Sequence, residues 1–188
     1  MSATPIEKTA AAPGRRLHRF RRNRDGSAAV EFALVAPLFF ALLFAIIETG
    51  MVFFASQTLE TATQDVARLV LTGEAQQVGY TKQQFKDEVC KHLTVMFDCQ
   101  NGIYVDVESF SSFSSITAAK VIDDSQKFVP ADHYKPGNAC DVVVVRLFYQ
   151  WPLYVTGLGY DLSNLAGGKR LLMGSAAFRN EPFGTSSC

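Results

Sequence analysis

Glu31 is the residue of this chain whose type and position most need a chemical explanation. It lies five residues after Gly26 and directly precedes residues 32–47, which carry no charge. A carboxylate on a lipid-facing helix costs about 2.5–3.5 kcal/mol on insertion scales, so it needs a positive partner. Two interpretations stay open: Glu31 pairs with a cation inside a membrane, or it lies at headgroup depth and neutralises Arg24.

The apolar sequence around Glu31 predicts a transmembrane helix over residues 27–56. Thirty helical residues measure about 45 Å, which exceeds a hydrocarbon core of about 30 Å. The segment is too long for an ordinary signal peptide and lacks a small-residue cleavage site at its far end. A buried core helix is the alternative, but little else in the chain is available to cover so apolar a helix on every side. Pro37 favours a kink, which bilayer helices tolerate.

The charges on the two sides of this helix predict its orientation. Residues 1–26 carry a net charge of +5 and residues 27–188 a net charge of −5. The positive-inside rule then predicts a cytoplasmic basic leader over residues 1–26 and an extracytoplasmic domain over residues 57–188. A basic segment beside an apolar one indicates membrane topology rather than nucleic-acid binding, so we expect a lipid bilayer and no nucleic acid as partner.

Four cysteines lie in the predicted outer domain, at Cys90, Cys99, Cys140 and Cys188. An even number on the oxidising side of a membrane favours disulfides. Three pairings are open, and Cys90 with Cys99 plus Cys140 with Cys188 is favoured because the first pair closes a short loop. The spacing of Cys90, His92 and Cys99 matches no strong metal-ligand pattern, so no metal or cofactor is expected.

Beyond the membrane segment, the periodicity predicts an α+β domain. The first helix continues as an amphipathic helix to residue 72, where Gly73 ends it, and a second helix covers residues 81–96. Strands are predicted at residues 103–108, 141–151 and 171–179, in an antiparallel sheet of three or four strands with the long helix across one face. The connection over residues 153–165 is unusually apolar, and it either packs on the sheet or touches the membrane surface.

The ionisable residues form no catalytic pattern. His18, His92 and His133 are scattered, without the serine and aspartate arrangement of a hydrolase. The pair Asp123-Asp124 is typical of a solvated loop. We therefore expect a protein that is not an enzyme.

The residues at the start of the apolar helix also carry a family resemblance. Gly26-Ser27-Ala28-Ala29-Val30-Glu31-Phe32, after a basic leader, resembles the processing site of type IV prepilins. In that family a membrane peptidase cuts after the glycine, and the glutamate becomes the fifth residue of the mature chain. The fuller stretch, GSAAVEFALVAPLFFALLFAIIETG, resembles the TadE-like proteins of Tad (Flp-type) pilus machines, with Pro37-Leu38 and Glu48 with Gly50 matching the family helix.

The resemblance implies a pilin-like fold, processing between Gly26 and Ser27, and an assembly and register role for Glu31, Phe32 and Pro37. The implied function is that of a minor pilin-like structural subunit in the bacterial inner membrane. The implied partners are the prepilin peptidase, other Tad minor pilins, inner-membrane platform proteins and the Flp pilus fibre. TadF-like relatives share similar helices, so the choice between these two roles stays open.

A short segment near the C-terminus also resembles a terminal motif of these proteins. Partner docking is the role it implies, and a plain strand end stopped by proline is the alternative. The segment consists of Arg179, Asn180, Glu181, Pro182 and Phe183.

The chemistry of the processed chain would answer the question that Glu31 raises. Cleavage after Gly26 would create an amine on Ser27 about one helical turn from Glu31, and such an amine is largely cationic at neutral pH. In low dielectric, a pair with Glu31 of the same or a neighbouring chain would fix the axial register, because a slip leaves a buried charge unpaired. The rival function is an uncleaved single-pass anchor whose outer domain binds a ligand.

Overall fold

The computed structural model describes residues 26–93, 95–117, 120–155, 159–185 and 188. The predicted leader therefore lies outside the described residues except for Gly26. Contacts divide the chain into a first unit that ends at Leu43 and a second unit over Phe44–Cys188. The elements, in chain order, are α1 (Ser27–Leu71), α2 (Glu74–Val78), α3 (Lys82–His92), α4 (Cys99–Gly102), β1 (Ile103–Phe110), a 3-10 turn (Phe113–Ser115), β2 (Val142–Pro152) and β3 (Lys169–Arg179).

In the first unit, α1 is an apolar helix whose side chains are almost all exposed. Large exposed residues include Phe32, Leu34, Val35 and Leu38, and Pro37 lies within the helix. An 18-residue window of α1 has a mean hydropathy of 2.5, and none of it is buried. This confirms the predicted apolar helix, whose length and composition are compatible with a single-pass membrane anchor. The predicted domain boundary at residue 57 stays a prediction.

In the second unit, one face of α1 is buried against the sheet. The buried positions follow helical spacing and include Val52, Leu59, Val66 and Val70. A Cβ at Gly174 of β3 would come within 2.2 Å of the Thr63 hydroxyl oxygen, so this close approach of strand to helix requires glycine. The α+β fold, with an amphipathic extension packed on an antiparallel sheet, is therefore confirmed.

The sheet has three strands in the order β1-β2-β3, and both pairs are antiparallel. The central strand β2 is buried on both faces, which explains its nearly unbroken apolar sequence. Val143, Val145 and Leu147 join the core that includes α1. Phe148 lies in contact with Phe128, at 5.6 Å between ring centroids.

Helix α3 is shorter than the predicted helix over residues 81–96. Its start is as expected, since Thr81 and Gln84 form a capping box. It ends at His92, whereas the predicted helix continued to residue 96. The disulfide between Cys90 and Cys99 holds their Cα atoms 5.7 Å apart, and a helix continuing through Cys99 would separate them by about 13 Å. The bond therefore excludes a helix through Cys99, where the structure has the short helix α4, which was not predicted.

Both disulfides have the pairing favoured from the sequence. Cys90 bonds Cys99, and Cys140 bonds Cys188 across 48 residues. The second bond ties the end of the chain to the residues that lead into β2. It therefore constrains the whole β2–β3 portion of the second unit.

Candidate processing and assembly site

Helix α1 begins directly after Gly26, and its first turn brings Ser27 next to Glu31. The Ser27 hydroxyl donates a hydrogen bond to Oε1 of Glu31 at 2.9 Å, and both residues are exposed. A Cβ built on Gly26 would meet no atom of the described residues within 4 Å. Among the described residues nothing crowds Gly26, and any group carried by Ser27 lies one turn from the Glu31 carboxylate.

The other two predicted assembly residues lie on the same exposed helix. Phe32 is 68% exposed, and Pro37 is exposed within the helix. Glu31, Phe32 and Pro37 thus belong to a surface that the described residues leave uncovered in the first unit. Their predicted role in assembly stays a prediction.

Glu48, the second acidic residue on α1, has a different environment. Its side chain is buried, and Oε1 accepts hydrogen bonds from the backbone N–H groups of Tyr154 and Val155, the latter at 3.0 Å. Its Oε2 atom is buried and has no hydrogen-bond partner among the described residues. Glu48 therefore anchors the connection that follows β2 to the helix.

Tyr160 attaches the same connection to the helix at a second point. Its hydroxyl donates to the backbone carbonyl of Ala45 at 3.0 Å and lies 2.5 Å from the Thr49 hydroxyl. The Thr49 hydroxyl in turn donates to the Ala45 carbonyl at 2.7 Å. The connection also packs on the core that includes the sheet, through the partly buried Leu153 and Leu162, as one of the two sequence interpretations predicted. Its contacts with α1 were not predicted.

Within the C-terminal segment, Asn180 and Phe183 contact distant parts of the second unit. Asn180 is buried, and its amide donates to the carbonyls of Pro136 and Asn138 at 3.0 and 2.9 Å. Phe183 lies over Gly73, where a Cβ would come within 2.3 Å of its ring, and so explains the glycine at the end of α1. These contacts are internal to the second unit.

The rest of that segment is more accessible. Arg179, Glu181 and Pro182 have exposed side chains, although the Glu181 N–H donates to the Leu71 carbonyl at 2.9 Å and so caps α1. Arg179 donates to the Cys140 carbonyl at 2.9 Å. The docking role predicted for the whole segment, residues 179–183, stays a prediction.

A charged cluster on the second face of the sheet was not anticipated from the sequence. Asp106 is fully buried and accepts from Arg146 at 2.7 Å and from His133, while Arg146 also donates to Glu108 at 3.1 Å. Cross-strand pairing of Asp106 with Arg146 was the available signal, but it required the register.

Asp106, Glu108 and His133 have ligand atoms within 4.8 Å of one another, a spacing that fits a metal ion. However, the Arg146 guanidinium already occupies both carboxylates. A cation between them would have to displace it, so the arrangement fits an internal ion-pair network better than a metal centre.

Comparison with known families supports the interpretation of the helix. A family model described as TadE-like protein matches residues 26–68, beginning at Gly26 and ending within α1. The predicted resemblance is therefore confirmed for this segment, which includes Ser27, Glu31, Pro37 and Glu48. No curated protein and no solved structure matches the chain.

Proposed function

We propose that this chain is a minor pilin-like structural subunit of a Tad (Flp-type) pilus assembly system, anchored in the bacterial inner membrane. The observation that carries the proposal is the arrangement of Gly26, Ser27 and Glu31 at the start of an exposed apolar helix. The same residues open the segment that matches the TadE-like family, which associates the chain with Tad pilus components.

The proposed maturation step is cleavage of the peptide bond between Gly26 and Ser27 by the prepilin peptidase. Water adds across the bond, which leaves a carboxylate on Gly26 and an amine on Ser27. The open space beside Gly26 supports access by a peptidase. The amine arises on the residue whose hydroxyl already bonds Glu31, so the cation that the Glu31 carboxylate needs is created next to it.

Assembly follows from the same pair in the proposal. The Ser27 amine of one chain pairs with Glu31 of the same chain or of a neighbour, and the low dielectric of the bilayer penalises any register that separates them. Phe32 and Pro37 lie on the uncovered helix surface that would pack against neighbouring helices. The proposed partners are other Tad minor pilins, the inner-membrane platform proteins and the Flp fibre, and the role is structural rather than enzymatic.

The proposed orientation places the leader in the cytoplasm and the second unit in the periplasm. It is supported by the charge of +5 over residues 1–26. It is also supported by two disulfides in the second unit, which an oxidising compartment maintains.

N-terminal sequencing and intact mass of the membrane-extracted protein test the proposal. We expect a chain that begins at Ser27 in cells with the prepilin peptidase and a longer chain in cells without it. Gly26→Val should block processing, whereas Gly50→Val should leave it intact, because both glycines have open space around them but only one precedes the cleaved bond. A functional chain that keeps its leader in the presence of the peptidase would leave a plain tethered domain as the function.

A further inference from the structure

The exposed side of α1 stays apolar well into the second unit. Ile46, Ile47, Met51, Phe53 and Phe54 are each between 46% and 68% exposed, and we call these five residues the apolar flank. The next exposed side chain is Gln57, and Thr61 and Gln64 follow. The exposed helix surface is therefore polar and compatible with water from about Gln57 onward, whereas the apolar flank requires an apolar environment.

The connection after β2 is attached to α1 beside this apolar flank, not beyond it. Its anchors on the helix are Ala45, Glu48 and Thr49. They precede Phe54 by five to nine residues, or about 8–14 Å along the helix axis. The headgroup layer on each side of a bilayer measures about 5–8 Å. Part of the second unit thus lies at the level where the helix surface is still apolar.

The side chains at this end of the second unit are of the types that bilayer interfaces attract. Tyr154 is 84% exposed, and the Tyr160 hydroxyl contacts the helix. Lys169 and Arg170 lie at the same end of the sheet, because they pair with Pro152 and Trp151. Tyrosine rings favour the headgroup region, and basic side chains bind lipid phosphates while their stems remain apolar.

Two carboxylates lie at this end, and both are engaged internally. Glu48 is buried and accepts the backbone N–H of Val155 at 3.0 Å. Asp161 is exposed, and its Oδ1 accepts the backbone N–H of Ser163 at 2.8 Å, which lowers the pKa of Asp161. Arg170 is half-buried and donates to the Leu162 carbonyl at 2.8 Å, while Lys169 is exposed. The donors open to lipid phosphates are therefore the Lys169 ammonium and the guanidinium N–H groups of Arg170 that Leu162 does not use.

We propose that this end of the second unit is seated in the outer headgroup layer of the bilayer that α1 spans. We call it the membrane edge, and it consists of residues 153–155, 159–165 and 169–170. Its partner is phospholipid: phosphates bind Lys169 and Arg170, and the boundary between headgroups and acyl chains receives Tyr154. The inference rests on the proposed membrane anchoring and continues the same interface, because the membrane edge flanks an apolar helix surface.

Tryptophan fluorescence of the full-length protein in proteoliposomes tests this depth. Tyr154→Trp places a reporter on the membrane edge, and Phe113→Trp places a matched reporter on an exposed aromatic position at the opposite end of the sheet. The opposite end is assigned from Phe110, which pairs with Val142, about 33 Å along β2 from Pro152. The emission of the wild-type protein, which has the single residue Trp151, is subtracted in each case.

Phospholipids brominated near the headgroup should quench the reporter of Tyr154→Trp, and the emission of Phe113→Trp should stay unchanged. Exchange to unbrominated lipid should restore the lost emission. If Tyr154→Trp emits equally in both lipids while the protein resists alkaline extraction from the vesicles, the inference is overturned and the anchoring stays intact. Protein that alkaline extraction removes from the vesicles would instead overturn the proposed function.

Discussion

Glu31 and Glu48 are two carboxylates on one apolar helix, and the structure treats them differently. Glu48 is buried in the second unit and accepts two backbone N–H groups from the connection after β2. Glu31 is exposed in the first unit, and its side chain accepts a hydrogen bond from the neutral hydroxyl of Ser27. The Glu48 carboxylate, with internal donors, serves the fold, whereas the Glu31 carboxylate meets no cation among the described residues, and its proposed partner is the amine of the processed Ser27. Substitution of Glu31 should therefore impair assembly, whereas substitution of Glu48 should lower the free energy of unfolding.

The largest effect is expected from Glu31→Gln. The variant keeps the shape and the hydrogen bond from Ser27 but loses the charge that would pair with the new amine. We expect incorporation into the pilus machinery to be lost, with membrane insertion and the unfolding of the second unit unchanged. Co-purification with other Tad components from detergent extracts measures incorporation, and alkaline extraction of membranes measures insertion. Normal co-purification of the variant would show that Glu31 serves no assembly role.

The opposite outcome is expected from Glu48→Ala. The substitution leaves the N–H groups of Tyr154 and Val155 without their acceptor, and hydrogen bonds to a charged group contribute about 1.5–3 kcal/mol each. It also removes the buried Oε2 atom that has no partner among the described residues, which offsets part of that loss. We expect the free energy of unfolding to fall by roughly 2–3 kcal/mol and proteolysis within residues 153–160 to increase. Glu31→Ala is the matched control, with no change in either quantity. Equal stability of both variants would remove the distinction between the two glutamates.

The C-terminal segment extends the same comparison to Asn180 and Glu181. Asn180 is buried and donates to two carbonyls, so Asn180→Ala should lower the free energy of unfolding by about 1–2 kcal/mol. The Glu181 side chain is exposed, and only its backbone caps α1, so Glu181→Ala should leave stability within about 0.5 kcal/mol. Chemical denaturation in detergent measures both. If Glu181→Ala nevertheless impairs assembly, the docking role predicted from the sequence gains direct support.

Sequence periodicity was sufficient for the long elements of this fold. The apolar helix, the cap at Thr81, the strong strand β2 and the Cys90–Cys99 pair all follow from residues close in sequence, and Cys140–Cys188 is the pair that remains. The short helices α2 and α4 and the early end of α3 were not predicted, because four or five residues display too little of a helical period. Local patterns thus predicted the long elements and left the short ones undetermined.

The contacts of the candidate sites were harder to predict because they join distant parts of the chain. Glu48 meets Tyr154 and Val155 more than one hundred residues later, so its burial has no local signal. The alternating sequence of β1 predicts that the Asp106 side chain faces solvent, yet it is covered by the segment that carries His133. By contrast, Gly26, Ser27 and Glu31 lie within a single helical turn or next to it. Their spacing was therefore visible in the sequence.

The smallest effect, and the sharpest contrast with Glu48, is expected from Tyr134→Phe. The Tyr134 hydroxyl is buried without a hydrogen-bond partner among the described residues, and burial raises the pKa of Tyr134 to about 12. Phenylalanine retains the ring contact with Phe85, so stability at pH 7 should stay within about 0.5 kcal/mol or rise slightly.

Above pH 10 the unfolded wild-type chain loses the tyrosine proton while the folded chain keeps it, so wild-type stability falls between about pH 10 and 12. The variant should lack this component, and denaturation of both proteins at pH 7 and pH 11 measures the difference. A variant less stable than the wild type at pH 7 would mean that the Tyr134 hydroxyl has a hydrogen-bond partner, as the Glu48 carboxylate does.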